Sequence, residues 1–296
     1  MYKIRRINHV FLIRISLLFL CFISKSEGPK CCDLESIYHD ILELKYDEIL
    51  ESNCTDSSVK ILVRILYCAG QIDYKYSVSS ISDRCIHHLI DGYETLYMNG
   101  QKKENSFLLF KEAINCANSN NDISLLKLCY IGILNYQQFT YNSITREKYS
   151  YLKEYQTLLQ NDLDSIWYFV HLIDFQFLEN KPDKKNVQKS IELLEQLTHK
   201  GGMRQFNPFI FSYKGLYFEL TNQPDSARVY HLKAHNESGD RPYLKHLKIR
   251  SLLRLSRIEH STTNYRSALM YINKACLLYT SPSPRDRTRS RMPSSA

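Results

Sequence analysis

Glycine is scarce in this chain, nine in 296 residues, and no stretch alternates apolar with polar side chains for long. Strands therefore have little support. The phosphate-cradling G-x-x-x-x-G-K-[ST] loop and the dinucleotide fingerprint G-x-G-x-x-G are missing. So are H-E-x-x-H and G-x-S-x-G, which removes the common zinc-protease and serine-hydrolase signatures. No apolar run reaches the about 20 residues that span a bilayer. Excess charge is missing as well once the two ends are set apart. Residues 27–275 hold thirty Lys and Arg against thirty Asp and Glu, so the formal net charge of +8 belongs to the termini. It gives no argument for nucleic-acid binding by the part that folds.

The two ends differ in kind. Met1–Arg14 is basic, Ile15–Ile23 is apolar except for Ser16, and Ser24-Lys25-Ser26 offers small residues for cleavage before Glu27. That order reads as an export signal over 1–26, with an uncleaved anchor or a buried first helix as the alternative. Extending the apolar run back to Val10 would bury Arg14 at about 3 kcal/mol. Neither Leu20 before Cys21 nor Lys30 before Cys31 is the small residue that lipid attachment requires. At the other end, Cys276 to Ser281 reads CLLYTS, the translation of TGT CTC TTA TAC ACA TCT. Those codons resemble the transposon-end adapter of sequencing libraries, and Arg289–Ala296 resembles its outer end. The resemblance implies a non-native, disordered tail over 276–296 and a coding sequence that continues past Ala275.

Seven cysteines lie between these ends, an odd number with no C-x-x-C spacing. Several are expected as small core residues of helices; the adjacent Cys31-Cys32 pair is the most exposed candidate for a disulfide.

Helical periodicity fills the body. It predicts helices over Asp33–Ser52, Ser57–Cys68, Ile81–Met98 and Glu104–Ala117. Asp122 caps the next through Gln138, and Ser143 or Thr145 one through Gln160. Asp162–Glu179 and Asn186–His199 follow, then four helices in 208–275, where Pro224 and Pro242 stand at helix starts. Ala268 and Ala275 sit seven apart with Leu269 and Ile272 between them, a spacing that predicts all four on one helix face. Ala227 and Ala234 repeat the figure behind a helix carrying Gly215.

This pattern resembles the tetratricopeptide repeat. Phe211, Gly215, Phe218, Ala227 and Ala234 fill its aromatic and small slots, and Leu252, Leu255, Tyr265, Ala268, Ile272 and Ala275 fit the last repeat. Ser256 and Glu259 depart from it. Over 87–120, Ile90, Tyr93, Tyr97, Phe110 and Ala113 fit, while Glu94 and Ser106 are weak. Equivalent positions Leu197, Ala234 and Ala275 are 37 and 41 apart, longer than the usual repeat of about 34. The resemblance implies an all-α fold of antiparallel hairpins stacked into a right-handed solenoid. Residues 27–86 would form N-terminal helical repeats and 87–275 degenerate repeats, best kept over 208–275.

Reactive constellations are thin. His231 and His235 share a helix face, but zinc needs a third ligand, and Glu237, past the expected helix end, is the nearest. The abundant Tyr and Phe serve packing, with Trp167, Tyr168, Phe169, Phe175 and Phe177 as the expected core centre. No enzyme and no cofactor is expected. In the family the first helices of successive hairpins line a concave groove for peptides or partner helices. Carried over, the groove comprises Phe209, Ser212, Leu216, Glu219, Arg250, Leu253, Arg257 and His260. Arg250 and Arg257, seven apart, are placed to receive an acidic partner. Export signal, degenerate repeats and interrupted gene together resemble the extracytoplasmic sensor part of bacterial membrane regulators. A free-standing periplasmic repeat protein is the alternative, and a carbohydrate-uptake lipoprotein is disfavoured by the cysteine context.

Overall fold

The computed structural model describes residues 34–52, 57–68, 83–97, 103–140 and 146–280. The expected signal segment, Cys31, Cys32 and most of the adapter-like tail lie outside them. Among the described residues there are thirteen α-helices and no strand. They are α1 Leu34–Leu42, α2 Tyr46–Glu51, α3 Ser57–Cys68, α4 Arg84–Tyr97, α5 Lys103–Ser119, α6 Ile123–Thr140 and α7 Arg146–Gln156. Then come α8 Asp162–Leu178, α9 Lys184–Lys200, α10 Asn207–Leu220, α11 Pro224–Ser238, α12 Lys245–Ser261 and α13 Tyr265–Thr280.

Caps set several starts. Asp83 accepts from the Cys85 amide at 2.7 Å, Asp122 from Leu125 at 2.9 Å, and Asp183 from Lys185 at 2.9 Å. Asn161 caps α8, accepting from the Asp164 amide at 2.8 Å. The helix expected over Asp33–Ser52 is two helices, because Leu44 turns the chain with a φ of 62° that no α-helix contains. The helix expected to reach Gln160 ends at Gln156. α13, by contrast, runs through Cys276 to Thr280, so the first five residues of the expected disordered tail are helical.

From α2 onward each helix packs chiefly on its sequence neighbours, and the alternate helices α4 with α6, α6 with α8, and α10 with α12 also touch. Small residues permit these approaches. A Cβ on Gly92 or Gly132 would lie 2.7 or 2.6 Å from the Phe110 ring, so that ring is clasped between α4 and α6. Gly215 plays the same part on α10, where a Cβ would meet the His231 ring at 2.5 Å. Ala227, Ala234, Ala268 and Ala275 are all buried. Leu269 and Ile272 are not: they are 60% and 40% exposed, against the expectation of one shared face. At about 100° per residue Leu269 is turned well away from the alanines, and Ile272 sits at the edge of their face. The two departures from the repeat pattern are satisfied by hydrogen bonds. Ser256 donates to the Ala268 carbonyl at 2.9 Å, and buried Glu259 accepts from Arg228 at 2.6 Å and Asn264 at 2.7 Å.

The N-terminal helices turn back onto the rest. α1 packs on α6, and α3 on the 3-10 turn Pro242–Leu244 that leads into α12. Trp167 Nε1 donates to the Leu42 carbonyl at 2.8 Å, and the Tyr46 ring meets Tyr243 edge-on at 5.0 Å. One apolar cluster thus runs from Ile37 to Leu247, with Phe175 and Trp167 inside it and Tyr168, Phe169 and Phe177 on its margin. Cys85 and Cys116 form a disulfide between α4 and α5, a pairing the odd cysteine count concealed; Cys129 is the free core cysteine. A buried ion pair, Lys127 Nζ to Asp164 Oδ2 at 2.8 Å, ties α6 to α8. No described helix is long and apolar enough to cross a membrane.

Candidate functional site

α8, α10 and α12 lie side by side and leave a groove of about 720 Å³ between them. The pattern of α12 explains how it opens. Leu247, Leu252, Leu255 and Ile258 are buried, while His246, Ile249, Arg250, Leu253, Arg254 and Arg257 line the groove. Phe177 and Leu178 from α8, Pro182 beyond it, and Leu216, Glu219 and Leu220 from α10 complete the walls. The groove is an apolar trough with charges set along it.

Most of those charges are already paired. Arg250 donates to Asp174 Oδ1 at 3.4 Å and to Ser212 Oγ at 3.0 Å, and its guanidinium lies 5.7 Å from the centre of the Tyr213 ring. Tyr213 Oη donates to Asp174 Oδ2 at 2.9 Å. Arg254 reaches Glu219 Oε2 at 3.3 Å, and the other oxygen of Glu219 holds His231 Nε2 at 2.6 Å. Burial would raise the Glu219 pKa, but the His231 hydrogen bond and the Arg254 charge outweigh it and hold the carboxyl below its ordinary value. Burial also draws Arg254 down, reinforced by Arg257 and Arg250 and opposed by Glu219. Arg257 is exposed at the mouth. Two arginines thus have acids and the third faces solvent, in a region where residues 208–275 carry eleven Lys and Arg against five Asp and Glu.

Of the eight residues assigned to a groove from sequence, Leu216, Glu219, Arg250, Leu253 and Arg257 line this one. Phe209 and Ser212 are buried beneath it, and His260 stands outside with its ring 5.4 Å from Tyr265. Arg250 is held by Asp174 and Ser212, so the expected pair of receptor arginines reduces to Arg257. Asp174, His246 and Arg254 were not singled out, and Phe177, expected in the core centre, lines the groove instead. Arg254, four residues beyond Arg250, was legible as the same face; Asp174 lay hidden inside the apolar run of α8.

The histidine pair gives no metal centre. His231 is fully buried with Nε2 on Glu219, and Glu237 lies within α11 rather than past its end. The His, Asp and Glu trio grouped closely enough for a cation, among the described residues, is His39, Asp40 and Glu43. Lys45 already sets its ammonium against both of those carboxylates.

No protein-family model matches this sequence, and neither a curated protein nor a solved structure does.

Proposed function

We propose that the chain is a non-catalytic recognition scaffold of degenerate tetratricopeptide type, its hairpins stacked as a right-handed solenoid, and that α8, α10 and α12 present the surface that takes a partner protein. The groove carries this reading. It is apolar at its base and keeps one unengaged guanidinium, Arg257, at its mouth, beside Leu253, which is 44% exposed. Such a surface suits an amphipathic helix or extended segment that lays apolar side chains against Leu216, Leu220 and Ile249 and offers a carboxylate to Arg257. The tie of alternate helices and the small residues at their crossings support the repeat reading. The Cys85–Cys116 disulfide supports an exported, periplasmic location, because such bonds persist in oxidising compartments. On this reading the protein is the extracytoplasmic sensor part of a bacterial signalling protein.

The test starts from a photo-crosslinking residue at position 253 in cells that export the chain. The segment it captures, made as a synthetic peptide, should bind the wild type and lose at least tenfold in affinity for Leu253→Asp with Arg257→Glu, helicity being unchanged. A peptide that binds both equally would place recognition elsewhere.

A further inference from the structure

A second cavity of about 170 Å³ lies behind the groove, beneath the N-terminal helices. Ile41, Leu42, Leu44 and Tyr46 of the α1–α2 corner form one wall, and α6, α8 and α10 form others through Leu128, Val170 and Phe209. Its size decides what it can hold. It matches the engineered apolar cavity of about 150 Å³ that stays dry and binds benzene, and falls well below the about 300 Å³ of a drug-sized site. One ring fits. The walls are rich in rings, Tyr93, Tyr97, Trp167 and Tyr243 among them, which suits aromatic edge-to-face packing.

Three residues line both the cavity and the groove: Asp174, His246 and Arg250. They mark the boundary between the two and form the polar end of the chamber. The Asp174 charge there is already answered by Arg250 and by the Tyr213 hydroxyl. His246 is neutral at physiological pH, because burial, with the nearby Arg250 charge, brings its pKa down to about 4. Arg250 spends Nη1 on Asp174 and Nη2 on Ser212, while its buried Nε–H has no acceptor. This end therefore has no charge left to neutralise but has a donor left to satisfy. A ligand carboxylate would add a second negative charge beside Asp174, whereas a neutral oxygen would not.

We propose that this chamber binds a small uncharged aromatic molecule of the size of phenol, its ring among the tyrosine and tryptophan side chains and its hydroxyl towards Arg250 and Asp174. Because α1 and α2 form a wall, the bound ligand braces those helices against the rest of the molecule. The chamber shares only its boundary residues Asp174, His246 and Arg250 with the groove, and its binding is tested on the chain alone.

Calorimetry or ligand-observed NMR with the full chain should show phenol binding with one-to-one stoichiometry, and at least tenfold more tightly than toluene, which has the same shape without the hydrogen-bonding group. Benzoate should not bind. Hydrogen exchange over 34–46 should slow when phenol is present. Val170→Phe, which fills the chamber, should abolish the binding, and Leu128→Phe makes the same test from α6 if the first variant does not fold. Equal affinity for phenol and toluene, binding of benzoate, unchanged exchange over 34–46, or phenol binding retained in a folded filler variant would each overturn the proposal.

Discussion

His171 offers the sharpest test of the packing described here. Its side chain is 1% exposed, stacked on Trp167 at 6.0 Å, and neither ring nitrogen has a hydrogen-bond partner. Burial takes its pKa from the ordinary 6.5 down to about 3. The sign follows from linkage. The unfolded chain accepts the proton below pH 6.5 and the folded chain does not, so stability falls as pH drops from 6.5 towards 3 and the loss saturates below that. At pH 5 the loss from this one group is about 2 kcal/mol, rising to about 4 kcal/mol near pH 3. His171→Leu keeps a similar volume and removes both unpartnered nitrogens, whose burial costs roughly 1–3 kcal/mol. Urea unfolding at pH 7.5 should therefore find the variant more stable than wild type. Repeated at pH 5, the wild type should lose about 2 kcal/mol more than the variant, which keeps the acid response of buried His246. Equal losses in both proteins, or a variant destabilised at pH 7.5, would refute the account of an unpartnered core imidazole.

Other perturbations follow from the same contacts. Gly92→Ala and Gly132→Ala each drive a methyl into the Phe110 ring and should cost about 1–3 kcal/mol by urea unfolding, while Gly202→Ala, with open space around it but a φ of 66°, should cost about 1 kcal/mol. Lys127→Met strands the Asp164 carboxylate, 1% exposed, and should cost about 3–5 kcal/mol; adding Asp164→Leu should recover much of that. Replacing Cys85 and Cys116 by serine opens a loop with a sequence separation of 31 and should lose about 3.7 kcal/mol, the same loss that dithiothreitol produces in the wild type.

The helical class and the crossings in 208–275 could be read from the sequence because they depend on local period and on residue size. Ala227, Ala234, Ala268 and Ala275 sit where a seven-residue spacing puts them, buried against a neighbour. Gly92 and Gly132 were equally available as signals, since a glycine inside a helix costs about 1 kcal/mol and calls for a packing reason. Their shared partner Phe110 stands far from Gly92 and Gly132 in the chain, and a scan by repeat slots does not join the three. The same limit hid the Cys85–Cys116 bond and the return of α1 to α6, both long-range facts that no local period encodes. In the groove, the repeat resemblance pointed to Leu216, Leu253 and Arg257, but a family position does not tell an open arginine from one held by a neighbour. Arg250 is of the second kind because Asp174 arrives from a helix earlier in the chain, 76 residues before it.

On the proposed reading, recognition uses the trough between α8, α10 and α12 rather than the exposed apolar residues of α13. Residue-resolved hydroxyl-radical footprinting of the chain with and without its captured partner tests it most directly. Protection should fall on Leu253, Arg257 and Phe177 and leave Tyr265, Leu269 and Ile272 as reactive as before. Protection confined to Tyr265, Leu269 and Ile272, with the trough unchanged, would contradict it.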